Sequence, residues 1–458
     1  MRFLLISVLG GYGFISSTRR NYTKSSYMPP LGLLYLARSL EDEGHKVKIL
    51  DFFSQKELVE SLTSTDVVGL SVNTPSFKIA AQVASMIKKT KPELPIIIGG
   101  PHCTFHPKQS LIDIPAADVS VQGEADFVIK DIARALIGTK KLSEIPGVSY
   151  RVDNKIKSGK PPALIRDLDS IPFPARHLVE HYNYGKVNNA YLYKPKFASM
   201  ITSRGCPFRC RFCTLHAVTY KTYRQRSAKN VLKEIQEISK KYKSLMMVDD
   251  NFLSDKKRIH KILDGLIEMD LGLDIIVPTT RVDSADRELY KRMKKAGVKF
   301  LGFGIESGNQ DVLDFYNKKT TLHQIRKAVN LSREMNFVTL GSFILGAPIE
   351  TKNHLEKTIQ FARSLPLDIS FFFPLHYMYG SDLWKEAVQN GLINKEEYSV
   401  MADSQRGLGH FPRIELEKAC KTAFKQFYLR PRYIVQQFHR SLLRKDFGVL
   451  KVGLNSFL

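Results

Sequence analysis

Three of the five cysteines in this 458-residue chain, Cys206, Cys210 and Cys213, are spaced C-x3-C-x2-C. Thiolates this close cannot pair sensibly as disulfides, but they can converge on one metal centre. Four thiolates would close a structural zinc or an iron–sulfur site. Three leave a coordination position open, as in catalytic metal sites where substrate occupies it. Gly205 and Pro207 suit a loop wrapped tightly around an inorganic core. The apolar run Phe197–Ile201 leads into this loop. A zinc knuckle completed by a distant fourth ligand is the competing reading of the same residues.

Such a loop needs a scaffold, and the flanking sequence describes one. From residue 197 to 390 a strand–helix unit recurs six times. The expected strands are Phe197–Thr202, Leu245–Asp249, Leu273–Pro278, Phe300–Gly304, Val338–Leu345 and Ile369–Phe373. Successive units of this kind curl into a barrel with its chemistry at the carboxyl ends of the strands. Those ends carry Asp249, Asp250 and Asn251, then Arg281 and Asp283, then Gly304 through Gly308, then Gly346 through Glu350. No second cysteine cluster exists, and Cys103 and Cys420 read as buried structural thiols.

Residues 1–140 also alternate strands with helices, the pattern of a parallel sheet covered on both faces. Ligands of such sheets sit beyond the carboxyl ends of the strands. Here those ends carry Gly10-Gly11-Tyr12-Gly13, Ser71 through Pro75 with Thr74 among them, Gly99-Gly100-Pro101-His102, and Gly123-Glu124. Glycine lets backbone approach a bulky ligand closely, so a nucleotide-sized or larger ligand is expected. A short hairpin turning at Asp153-Asn154 follows. Pro161, Pro162, Pro172 and Pro174 then read as a linker.

The cysteine motif, with Phe212 before its last member, resembles the radical S-adenosylmethionine superfamily. The resemblance implies a partial (β/α)6 TIM-like barrel and a four-iron four-sulfur cluster on Cys206, Cys210 and Cys213. S-adenosylmethionine then chelates the fourth iron. Phe212, Asp249, Asp250, Arg281, Glu306, Ser307 and Gly346 would surround it. Glu306 would take the ribose hydroxyls, Arg281 the methionyl carboxylate, and Gly346 would meet the adenine. The pieces Pro29–Ala37, Gly44–Val47, Gly99–His102 and Gly123-Glu124 resemble the cobalamin-binding domain that precedes many such barrels. That resemblance implies a doubly wound, flavodoxin-like domain holding cobalamin at Ser71, Thr74, Gly99, Gly100, His102, Gly123 and Glu124. The D-x-H-x-x-G loop that supplies a histidine to cobalt is absent, so the resemblance implies cobalamin without histidine ligation, or a domain that kept the fold and lost the cofactor, and neither His102 nor His106 is expected to bind cobalt.

The implied division is a cobalamin-type domain at 1–145, hairpin and linker at 146–190, barrel at 191–390, and a basic helical segment at 391–458. The implied enzyme reductively cleaves S-adenosylmethionine and modifies an unactivated carbon by methylation, cyclisation or carbon–carbon bond formation. It needs an electron donor such as ferredoxin or flavodoxin. A cofactor-containing sensor without turnover is the alternative from another class.

Composition bears on the substrate. Lys and Arg number 69 against 45 Asp and Glu, a net charge of +24. That balance suits an anionic partner or plain solubility. RNA is disfavoured, because residues 1–102 lack the extra cysteines of relatives that modify transfer RNA. No apolar run of about 18 residues exists to span a bilayer, and Met1–Val8 reads as a first buried strand rather than a signal peptide. Few cysteines and an expected iron–sulfur centre point to the reducing cytoplasm. Residues 411–458 hold 10 Lys and Arg against 3 Asp and Glu, interleaved with aromatic and aliphatic side chains. This segment also looks like the tails of cobalamin-type relatives acting on hopanoids, isoprenoid lipids and tetrapyrroles. A lipid-like substrate met at a membrane surface is therefore expected, with Arg440, Arg444 and Lys445 facing the lipid. A tetrapyrrole, peptide or small metabolite is the alternative.

Overall fold

The computed structural model describes residues 1–8, 25–26, 28–153, 155–187 and 190–457. The glycine-rich stretch at 10–13 and Asn154 at the hairpin tip lie outside the described residues. The chain forms two compact units, Met1–Tyr184 and Gly185–Leu458.

The first unit is a seven-stranded sheet. Its strands are β1 (Arg2–Ser7), β2 (Lys46–Leu50), β3 (Val67–Ser71), β4 (Ile96–Gly99), β5 (Val119–Val121), β6 (Val148–Val152) and β7 (Lys155–Ser158). They lie in the order β2-β1-β3-β4-β5-β6-β7, the first five parallel. The runs Phe3–Ile6 and Ile96–Ile98 are buried throughout, as strands covered by helices on both faces must be. The helices include α1 (Leu31–Glu41), α2 (Gln55–Leu62) and α3 (Phe77–Thr90). The start of α2 is marked by a capping box between Ser54 and Glu57. Strand order reverses between β1 and β3, the usual place for a ligand crevice.

Within residues 146–190 the expected hairpin forms, and the stretch read as a linker belongs to the first unit. The hairpin is β6 and β7, which extend the sheet antiparallel from β5. The proline-rich stretch that follows is held to the same unit. Tyr182 Oη accepts the Asp51 backbone N–H at 3.0 Å, and Tyr184 Oη donates to the Asp51 carboxylate at 3.0 Å. Those long-range bonds join residues too far apart in sequence for local patterning to register.

The second unit is a six-stranded parallel sheet whose order follows the chain. Its strands are β8 (Phe197–Met200), β9 (Ser244–Met247), β10 (Asp274–Thr280), β11 (Val298–Glu306), β12 (Val338–Leu345) and β13 (Ile369–Pro374). β8 and β13 are the edges and do not pair, so the barrel is partial. Amphipathic helices cover its outer face, among them α4 (Ala228–Ser239), α5 (Lys256–Met269), α6 (Leu322–Glu334) and α7 (Lys352–Ser364). Serine, aspartate or threonine stands at each N-cap, as helix starts prefer.

Three helices end the chain: α8 (Arg413–Tyr428), α9 (Pro431–Arg444) and α10 (Gly448–Phe457). Pro431 divides the first two as expected, since proline suits a first helical position. α8 lies along β13. Phe427 is buried edge-on to Phe372, and Tyr428 Oη accepts the Ser370 N–H at 2.9 Å. α9 corrects the expectation for Arg440 and Arg444. Both turn inward onto fully buried Asp368, with Arg440 Nη1 at 2.8 Å and Arg444 Nη2 at 2.9 Å. Asp368 also accepts the Thr339 N–H at 2.8 Å. A buried carboxylate needs charged partners, and this demand overrides the surface role their charge implied. Asp368→Ala would leave two buried guanidinium groups unpaired. It should destabilise the protein by about 3–5 kcal/mol in urea unfolding, whereas Arg432→Ala on the exposed face should change stability by less than about 0.5 kcal/mol. Equal effects would contradict this packing.

Candidate active site

The cysteine loop leaves β8 under heavy constraint. Asp249, fully buried just beyond β9, accepts the Thr202 N–H at 3.1 Å, the Thr202 hydroxyl at 2.6 Å and the Ser203 hydroxyl at 2.5 Å. Arg258 of α5 donates to the Thr202 carbonyl at 2.8 Å, and Arg226 to the Ile201 carbonyl at 2.8 Å. Asp250 accepts the Gly205 N–H at 3.0 Å. Gly205 has φ +91°, and a Cβ there would lie 2.0 Å from the Thr222 carbonyl oxygen, so only glycine fits. The far side of the loop is strapped to residues after β11. Arg211 N–H donates to the Tyr316 carbonyl at 3.0 Å, Asn317 to the Arg209 carbonyl at 2.8 Å, and the Phe212 ring sits edge-on to Tyr316.

The three cysteines border one cavity of about 240 Å³ at the carboxyl ends of the strands. Phe212, Asp250, Arg281 and Glu306, all expected there, line it as well. Three expected residues do not. Asp249 is spent on Thr202 and Ser203. Ser307 is buried against the Thr358 hydroxyl at 3.1 Å and accepts the Asn309 N–H. Gly346, at φ +100°, faces α8, where a Cβ would lie 2.7 Å from the Leu416 side chain. Its N–H goes to the Glu350 carboxylate, whose pKa burial pushes up to about 7.

Residues missed from the sequence complete the wall. Lys318 is buried with its Nζ 2.6 Å from Glu306 Oε1. Burial alone would lower the pKa of this ammonium, but the charge and hydrogen bond of Glu306 work against it and the net shift is upward. Glu306 has φ +68°, a costly conformation for a residue with a Cβ. A register shift between Gly304 and Glu306 accompanies it, the kind of irregularity that re-aims a side chain. A Cβ on Gly304 would lie 2.5 Å from Glu306 Oε1 and 3.0 Å from Lys318 Nζ, so a side chain there would displace the ends of the pair. Arg281 lies over the Phe208 ring at 3.6 Å and pairs with Asp283 at 2.8 Å. An N-K-K sequence before α6 is no recognisable motif, but a lysine close after a strand-end carboxylate was the available signal for Lys318.

Burial raises the pKa of the Cys206 and Cys210 thiols and lifts Cys213 to about 11. The metal-free thiols are thus protonated, and metal binding must release protons. Burial likewise lifts Asp250 to about 6. Among the described residues no three His, Cys, Asp or Glu side chains converge as they would around a single ion. The cysteines instead frame a shared space. Such a space fits a multi-iron cluster, where each thiolate takes a different iron.

In the first unit Ser71 and Gly99 are neighbours at the ends of β3 and β4. Gly100 has φ +112°, and a Cβ there would lie 2.7 Å from the Val72 carbonyl oxygen. Gly123 donates its N–H to Thr104 at 3.1 Å, and Glu124 accepts the Ile165 N–H at 2.8 Å. His102 is fully buried, stacked on Phe77 at 4.9 Å, with Nδ1 3.4 Å from the Thr74 hydroxyl. Burial lowers the pKa of His102 and brings His106 to about 4, so both rings are neutral. A larger cavity of about 460 Å³, lined by His106, Gln122 and Pro161 among others, touches none of the seven expected residues.

Comparison with known proteins agrees with this geometry. Residues 200–362 match the radical SAM superfamily, and residues 23–133 match the B12 binding domain. The chain is 32% identical over 440 residues to the uncharacterised methyltransferase PH0819 of Pyrococcus horikoshii, covering 93% of this chain and 94% of that protein. It is 27% identical to the anaerobic magnesium-protoporphyrin IX monomethyl ester cyclase of Rubrivivax gelatinosus, covering 93% and 79%. The fold is similar to that of the cobalamin-dependent radical enzyme OxsB, solved with aqua-cobalamin and S-adenosylmethionine bound. The TM-score is 0.70 at 18% identity, covering 96% of this chain and 71% of that one. The chain belongs to the radical S-adenosylmethionine superfamily, in the group with an N-terminal B12-binding domain, whose cofactors are a four-iron four-sulfur cluster, S-adenosylmethionine and cobalamin.

Proposed function

We propose that this protein is a cobalamin-dependent radical C-methyltransferase acting on an apolar, lipid-like substrate. The carrying observation is the cavity in which three cysteine thiols meet the Glu306–Lys318 pair and Arg281. In this reading Cys206, Cys210 and Cys213 hold the cluster. Arg281, with its face on Phe208, offers its guanidinium to the methionyl carboxylate. Glu306, oriented by Lys318, accepts the ribose hydroxyls. Asp250 and Phe212 close the rim, while Asp249, Ser307 and Gly346 fix the backbone around it. Ser71, Thr74, Gly99, Gly100, Gly123 and Glu124 would hold cobalamin, and the buried His102 would not ligate cobalt. When bound, these cofactors supply one-electron cleavage of S-adenosylmethionine and a transferable methyl group, and the protein binds, orients and excludes water. An external one-electron donor such as ferredoxin or flavodoxin supplies the reducing equivalent.

The substrate class rests on the last strand. Phe372 points to the outer helices, stacked on Phe343 at 5.2 Å. Its neighbours Phe371 and Phe373 therefore point the other way, and both are exposed. Phe371 is in register with Ser342, which lines the cysteine cavity, and Phe373 with Ile344. An exposed aromatic pair beside the reacting centre favours an apolar carbon skeleton, met at a membrane surface. The cyclase relative favours a tetrapyrrole as the second reading. The built cavity argues against a sensor without turnover.

Two measurements test these assignments. Anaerobically loaded protein should retain corrinoid through desalting, and His102→Ala should leave its visible spectrum unchanged. A shifted spectrum would mean histidine ligation, and complete loss of corrinoid from wild type would mean a vestigial domain. With methyl-labelled S-adenosylmethionine and an isoprenoid lipid extract, the label should enter the organic phase. Transfer to a porphyrin acceptor and not to lipid would establish the second reading instead.

A further inference from the structure

Helix α9 is amphipathic in the reverse of the usual sense. Its buried side carries Tyr433, Gln437, Arg440 and Ser441, with Arg444 half-buried beside them. Its outer side carries Ile434, Val435, Phe438, Leu442 and Leu443, each more than half exposed. A helix on a protein surface ordinarily places its apolar stripe inward. Here the buried Asp368 prevents it. That carboxylate takes Arg440 and Arg444, and its backbone carbonyl accepts the Tyr433 hydroxyl at 2.5 Å. Rolling the helix to hide its apolar face would strip the partners from Asp368, so the apolar face is locked outward.

The exposure is concentrated in one region. Among the described residues, nine of the 17 exposed large hydrophobic side chains fall from Ile414 to Leu454. Exposed Arg432, Lys445 and Lys451 flank the apolar row, with Asp446 the exposed acid among them. We propose that this outer face of α9 docks the protein on a bilayer surface rich in anionic headgroups. Apolar side chains enter the acyl boundary and the flanking cations meet the headgroups, as in interfacial helices. Charge decides against a second copy of the chain. A two-fold contact through this patch would bring the same basic rim of both copies together. The inference deepens, and rests on, the lipid-surface reading above, but it names different residues from those the sequence indicated. Arg440 and Arg444 lock the helix and do not meet lipid.

Flotation of the full chain tests this. The protein should float with phosphatidylcholine vesicles containing phosphatidylglycerol at low salt, and not with pure phosphatidylcholine. Binding should weaken several-fold at high salt. The double variant Phe438→Glu, Leu443→Glu should lose flotation at least about 10-fold, because charges on the entering face are expelled from the acyl boundary. Its circular dichroism and S-adenosylmethionine cleavage should match wild type, since neither side chain touches the cofactor cavity. Flotation unchanged in the double variant would overturn the proposal. So would a wild type that ignores anionic vesicles, including one that instead forms a dimer which the double variant abolishes. A protein that floats yet methylates only a water-soluble acceptor would keep this surface and refute the lipid substrate. One that methylates lipid extract without floating would do the reverse.

Discussion

A lysine ammonium 2.6 Å from a glutamate at the end of the fourth barrel strand constrains the centre of this protein. Both groups are buried, so each depends on the other. Removing one partner of such a pair costs about 3–5 kcal/mol, while an apolar replacement of both is often neutral. Stability alone therefore does not explain the pair. Its geometry is also costly, because Glu306 sits in the left-handed region. Strain of this kind persists where the surrounding structure demands it and function uses it. What the strain achieves is a carboxylate aimed, with Arg281, into the space the cysteines frame.

The same principle works at two other carboxylates with different results. Asp249 is wholly consumed by Thr202 and Ser203, and thereby sets where the cysteine loop begins. Asp368 is consumed by Arg440 and Arg444, and thereby sets which face of the terminal helix meets solvent. Buried carboxylates thus organise the loop that carries the metal chemistry and the helix that carries the outer surface. Of these three, Glu306 alone lines the cavity.

The cysteine loop was legible because spacing alone brings its thiols together. The six strand–helix units were legible because buried parallel strands are apolar runs separated by amphipathic helices. The sign of α9 was not. Its sequence holds basic and apolar residues at helical spacing, which reads equally well with either face inward. The partner that decides, Asp368, lies 72 residues before Arg440. Lys318 escaped for a similar reason, since its role depends on a positive φ at Glu306 that no local pattern predicts. Asp249, Ser307 and Gly346 stand at strand ends as expected, yet their polar groups bond to their own neighbours. Position at a strand end was readable, and direction was not.

As a working radical centre, the cavity framed by Cys206, Cys210 and Cys213 must cleave S-adenosylmethionine. The most direct measurement is reductive cleavage of S-adenosylmethionine by anaerobically reconstituted protein. Iron content, the broad absorption near about 400 nm expected of thiolate-bound iron–sulfur centres, and methionine release should be followed together. Wild type should bind four irons per chain and release methionine on reduction. Alanine in place of any one of the three cysteines should abolish both the absorption and the release. A triple variant that keeps the cluster, or a reduced, cluster-loaded wild type that never cleaves S-adenosylmethionine, would contradict the account.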